Sequence, residues 1–164
     1  MPGLLAHDMF ATHLPHESWM ADTVLLKNVR PRVGEAVDVL IEEGRFQHFG
    51  KNLGAADAAT IDGRGLLMLP GLIESHVHLD KTLRGLPWRP NSAGPRLVAF
   101  ETATTNNARA LGLHHYGLSA GNDADFVLVD CETLAEAVVG RPRRALVGKR
   151  GWIVARDGIF LAAS

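Results

Sequence analysis

The sequence is short of cysteine, of net charge and of long apolar runs. Cys131 is the single cysteine among 164 residues. It excludes an internal disulfide and a paired-cysteine metal site, and it suits a reducing, cytoplasmic compartment. Seventeen Lys and Arg stand against eighteen Asp and Glu, a formal net charge of −1. Such a balance gives no general attraction to nucleic acid or to an anionic membrane, and neither is expected as a partner. No apolar run approaches the roughly 18 residues that a membrane helix needs. The first twenty residues carry no basic start of the kind a secretory signal has. The glycine-bearing stretches match neither the dinucleotide fingerprint nor the phosphate loop, and no nucleophile-elbow serine motif occurs. The chain is also too short for a complete (β/α)8 barrel, which takes roughly 200 residues or more.

What remains is an ordinary globular composition, 46% hydrophobic and 21% charged, enough for a modest core. Residues 1–22 show no period and read as a flexible leader; they hold His7, His13 and His16, and Met20 is an alternative start. Strand signals follow. Val24 to Val29 is an apolar run ending at Pro31. Val37 to Glu42 and Arg45 to Phe49 alternate around Glu43-Gly44, which reads as a hairpin. His48 lies in its second strand, as a half-exposed strand histidine. Ala58 to Asp62 and Leu66 to Leu69 are further short strands. The apolar run Leu66 to Leu69 stops at Pro70-Gly71, and Leu72 to Asp80 continues extended. Arg84 to Leu97 holds three prolines and two glycines and reads as a loop. Glu101 to Leu111 reads as a helix that Gly112 stops. Ala124 to Asp130 is the clearest strand, Glu132 to Val139 a short helix, and Ala145 to Lys149 and Trp152 to Arg156 a last strand pair joined at Arg150-Gly151. A final turn at Asp157-Gly158 leads to Ile159-Phe160.

The one constellation with chemistry in it is His76-Val77-His78. Residues i and i+2 of a strand face the same side, so two imidazoles there can seat a single divalent ion. Such an ion lowers the pKa of a bound water. The bare pattern is weak, since this histidine content gives about 0.4 such pairs by chance; its place at the end of an apolar strand after Pro70-Gly71 strengthens it. Firm binding takes at least three protein ligands. His114 and His115 are adjacent, face different ways and lie past the helix, and Asp80 is the nearest spare carboxylate. Cys131 reads as a buried thiol. Arg141 to Arg144 with Lys149-Arg150 is a basic cluster without interleaved aromatics, and reads as a solvated loop.

Two blocks of sequence resemble the metal-dependent amidohydrolase superfamily in its cytosine deaminase-like branch. The first runs from Thr23 to Pro90 and contains Ile61-Asp62-Gly63-Arg64-Gly65, then Leu69-Pro70-Gly71-Leu72-Ile73-Glu74-Ser75-His76-Val77-His78-Leu79-Asp80-Lys81-Thr82 and Leu83-Arg84-Gly85-Leu86-Pro87-Trp88. The second runs from Thr102 to Gly158, with Asn107-Ala108-Arg109-Ala110-Leu111-Gly112, Gly117-Leu118, Gly121 and Ala124-Asp125-Phe126-Val127-Leu128-Val129-Asp130. The resemblance implies that the first block ends on the first strand of a (β/α)8 barrel, where the histidine pair binds Zn or Fe, and that the family hydrolyses C–N bonds of cyclic amidines. The second block follows the eighth barrel strand. Only about 20 residues separate Thr82 from Thr102, too few for one βα unit with its loops. Strands two to eight of the barrel are therefore expected to be absent.

The expected fold is mainly β with short helices. Both chain ends form a composite amidohydrolase-type β-sandwich, which carries only the first strand and last helix of the barrel. The expected segments are a leader (1–22), the N-terminal sandwich part (23–71), the first barrel strand with the Pro-rich loop (72–100), the last barrel helix (101–115) and the C-terminal sandwich part (116–164). By the resemblance His76 and His78 are the metal residues, with weak or no metal expected here, and no catalytic or substrate-binding residue carries over. The strand and the helix are expected to lack their packing partners, which favours a homo-oligomer through the exposed strand. The expected function is that of an internally deleted, inactive relative. The alternatives are a hydrolase completed by another subunit or chain, with a heterocyclic small-molecule substrate, and a non-enzymatic interaction module.

Overall fold

The computed structural model describes residues 21–32, 34–74 and 95–161. It is mainly β. The strands are β1 (Thr23–Pro31), β2 (Val37–Glu42), β3 (Arg45–Gly50), β4 (Ala59–Asp62), β5 (Leu67–Pro70), β6 (Phe126–Val129), β7 (Arg144–Lys149), β8 (Trp152–Arg156) and β9 (Ile159–Phe160). The helices are α1 (Pro95–Glu101), which continues through a π-helical stretch at Thr102–Asn106 into α2 (Asn107–Ala110), and α3 (Leu134–Val139). No helix among the described residues is long and apolar enough to cross a membrane.

The strands run in the order β3-β2-β1-β5-β6-β7-β8-β9, with β4 also beside β1. β1 is the strand shared by two half-sheets. Its first half pairs antiparallel with β2 and parallel with β4, from Val24 opposite Ala59 to Lys27 opposite Asp62. Its end pairs parallel with β5, Arg30 opposite Leu67. Between the halves the register shifts and Asn28 adopts φ 55°, a left-handed conformation that asparagine tolerates better than most residues. Asp38 fixes this break, because its Oδ1 accepts from the Asn28 N–H at 3.0 Å.

β5 then pairs antiparallel with β6 over four residues, Leu67 opposite Val129 through Pro70 opposite Phe126. This pairing joins the two sequence blocks directly. The half-sheets face each other across one core, in which Val24, Leu26, Val39, Ile41 and Phe46 meet Met68, Phe126, Leu128, Leu146 and Ile153. Each such side chain, fully buried, contributes about 1.5–3 kcal/mol relative to exposure.

Three hairpin connections, Glu43-Gly44, Arg150-Gly151 and Asp157-Gly158, have positive φ at both residues, as two-residue turns between twisted strands require. Two of these turns close one end of the sandwich together. The Ala124 N–H donates to the Gly44 carbonyl at 2.8 Å, and the Ala124 carbonyl accepts from the Gly151 N–H at 3.0 Å. A Cβ on Gly44 would lie 2.9 Å from the Arg150 carbonyl oxygen, so this approach needs glycine there.

The helix differs from its expected span. It starts at Pro95 rather than Glu101, within the stretch that reads as a loop. A proline in the first helical turn forfeits no hydrogen bond, because the N–H groups there have no intrahelical partner. The helix also has a packing partner. Phe100 is buried with Leu67, Leu69, Val127, Val129 and Cys131 on the outer face of β5 and β6, where Leu134, Ala137 and Val138 of α3 join it. Extended sequence after Pro70 does not form a ladder over the described residues 71–74.

Candidate functional site

The chain leaves β5 at Pro70 and heads for the histidine pair through Gly71, Leu72, Ile73 and Glu74. Every second residue of this stem is held from the second sequence block. The Gly71 N–H donates to the Asp125 carbonyl at 2.9 Å, and the Gly71 carbonyl accepts from the Tyr116 hydroxyl at 2.7 Å. The Ile73 N–H donates to the Ala103 carbonyl at 2.9 Å, and the Ile73 carbonyl accepts from Asn107 Nδ2 at 2.8 Å. Ala103 belongs to the π-helical stretch, a winding that is rare and recurs at functional sites.

The groups that make these bonds are buried or half-buried. Thr104 is fully buried and its hydroxyl donates to the Phe100 carbonyl at 2.7 Å. Asn107 is 8% exposed. Burial pushes the Tyr116 hydroxyl up to about 12, against the lowering effects of the Thr104 hydroxyl and of Arg32 and with a small raising effect of Asp125. At neutral pH Tyr116 is therefore a donor only through its intact O–H, and it serves the stem as a clamp. The Asp125 carboxylate accepts from the Arg150 N–H at 2.8 Å and from Lys149 Nζ. It thereby ties the stem to the β7–β8 turn.

His76 and His78 lie outside the described residues, as does Asp80. His114 and His115 are exposed, and the His115 carbonyl accepts from the Asp123 N–H at 3.0 Å. His48 is exposed on β3. Among the described residues no group of three or more His, Cys, Asp or Glu could hold a metal ion. Taken alone, those residues do not fit the Zn or Fe that the resemblance implies. Cys131 is buried, and its thiol pKa is raised first by burial and then by the charge of Glu136; a thiol so placed stays protonated and is a poor nucleophile. The basic cluster is divided: Arg143 pairs with Asp157 at 3.3 Å, Lys149 with Asp125, and Arg141 and Arg144 line a groove beside α3 and the outer face of β5 and β6.

Sequence reading missed the stem's four anchors. Asn107 was legible in part: Phe100, Thr104, Asn107 and Ala108 recur at helical spacing, and a polar residue on that stripe needs a partner. Tyr116 lies in turn-like sequence and Asp125 at the start of a strand signal, and neither position shows that its side chain or carbonyl holds the stem.

The architecture has a counterpart among known folds. N-isopropylammelide isopropylaminohydrolase from Burkholderia multivorans has a similar fold, with a TM-score of 0.71 at 17% identity over 86% of this chain and 100% of that one. No family model matches the sequence. The 5'-deoxyadenosine deaminase of Methanothrix thermoacetophila is 34% identical over 110 residues, 60% of this chain and 25% of the deaminase. The dihydroorotase of Leifsonia xyli is 35% identical over 105 residues, 58% of this chain and 24% of that enzyme. A second dihydroorotase, from Geotalea daltonii, is 52% identical over 48 residues, 29% of this chain and 11% of its own. In these matches the chain is similar to parts of a deaminase and of dihydroorotases, and its fold is similar to that of an aminohydrolase. It spans about a quarter or less of the length of these curated relatives.

Proposed function

We propose that this chain is an internally deleted relative of the cytosine deaminase-like amidohydrolases and does not hydrolyse a C–N bond by itself. The pairing of β5 with β6 carries this reading: residues 67–70 and 126–129 are neighbours in one sheet, and the sequence between them is far shorter than the roughly 200 residues of a (β/α)8 barrel. The segment from Leu72 through His76 and His78 is then what is left of the first barrel strand, and the helix from Pro95 to Ala110 what is left of the last barrel helix. His76 and His78 would be the residues that hold Zn or Fe. When bound, such an ion supplies a water of lowered pKa. Hydrolysis further needs a positioned proton carrier and a closed substrate cavity, which the rest of the barrel provides in a complete fold.

The test is ammonia release from cytosine and related cyclic amidines by the purified chain supplied with Zn or Fe. The expected result is no release above the rate without protein, and less than one metal ion per chain by elemental analysis. Turnover that His76→Ala abolishes would contradict the reading and would assign the activity to a site completed by a further chain.

A further inference from the structure

A groove of about 490 Å³ runs between α1, α3 and the outer face of β5 and β6. Ten of its twelve lining residues are apolar, and the other two are Arg141 and Arg144. Both arginines are exposed, and neither is paired with a carboxylate among the described residues. Arg143, between them, is by contrast paired with Asp157. We propose that this groove binds a small amphiphilic monocarboxylate. Its hydrocarbon part lies along Phe100, Val127 and Val138, and its carboxylate meets Arg141 and Arg144.

Three features support this occupant. The volume falls within the roughly 300–1,000 Å³ of small-molecule sites, whose walls are mostly apolar with a few polar groups to orient the ligand. The two cations stand beside the apolar wall, which matches a molecule with one charged end rather than one charged throughout. A guanidinium presents paired donors in a plane, the geometry of a carboxylate. The proposed contacts use neither His76 nor His78.

Calorimetric titration of the whole chain with octanoate, and in parallel with octan-1-ol, tests the proposal. Octanoate is expected to bind saturably, one per chain, and about tenfold more tightly than the alcohol. The double variant Arg141→Ala, Arg144→Ala should lose that preference while its affinity for octan-1-ol stays the same. Ala99→Trp, which fills the groove from an exposed position, should abolish binding of both. Equal binding of acid and alcohol, absence of saturable octanoate binding, or octanoate affinity unchanged in the arginine variant would overturn the proposal. So would a dimer in sedimentation that Ala99→Trp dissociates and octanoate does not, since the groove would then belong to a second copy. The arginine pair keeps the test valid if Ala99→Trp fails to fold.

Discussion

Strands β5 and β6 have two buried faces, and different structures cover them. On the inner face Met68, Phe126 and Leu128 are fully buried against side chains of the opposing half-sheet. On the outer face Leu69, Val127 and Val129 lie under two short helices, and a groove remains open between those helices. Strand-on-strand packing fills the space because both sequence blocks contribute interlocking side chains. The helices cover their face only in part. Stability therefore concentrates on the inner side and capacity for a ligand on the outer one.

The largest effect expected is in the inner core. Phe126 is 0% exposed and its ring centroid lies 6.4 Å from that of Phe46. Phe126→Ala should cost about 3–5 kcal/mol in urea unfolding. Phe100→Ala on the outer face should cost about 2 kcal/mol, because Phe100 already borders open space. Equal losses would erase the distinction between the faces. The next effect sharpens it. A Cβ on Gly148 would stand 2.2 Å from Phe126 Cε1, so Gly148→Ala should cost about 2–3 kcal/mol by overpacking. In the Phe126→Ala background most of that cost should disappear; full additivity would mean that the glycine is needed for another reason.

The smallest effect concerns the stem. Tyr116→Phe removes the hydrogen bond to the Gly71 carbonyl and should cost about 1 kcal/mol at pH 7. The sign with pH follows from a hydroxyl whose pKa is raised from 10.0 to about 12 on folding. Below pH 10 both states keep the proton and the contribution is complete. Between pH 10 and 12 the unfolded chain ionises first, so stability falls as pH rises. Unfolding curves of the two proteins should thus converge across that window, and a constant gap would contradict the burial of Tyr116.

Much of the fold was legible because it rests on local signals. The X-Gly pairs mark the hairpin turns, the period-two runs mark β2 and β3, the continuous apolar run marks β6, and Gly112, at φ 68°, marks the helix end. The misread part has physical causes. Pro95 reads as a breaker although it opens a helix, and the sequence gives no sign that the two halves of β1 serve different partners. Arg30 gave no signal either. Its guanidinium donates to the Gly65 carbonyl at 2.6 Å and to the Cys131 carbonyl at 3.1 Å, which fastens the first block to the second. Contacts between residues about a hundred apart in sequence leave no periodic trace. Of the candidate site, the stem's direction was legible from Pro70-Gly71 and its anchors were not, while His76 and His78 stand outside the described residues.

Direct closure of the two blocks on each other is best tested by native-state hydrogen exchange on the whole chain. Amides of residues 67–69 and 126–129 are predicted to be among the slowest to exchange, and to open together with those of β1 and β2 in a single unfolding event. Rapid exchange of both segments while β1, β2 and β3 stay protected would show that the first block folds alone and that β5 and β6 do not pair.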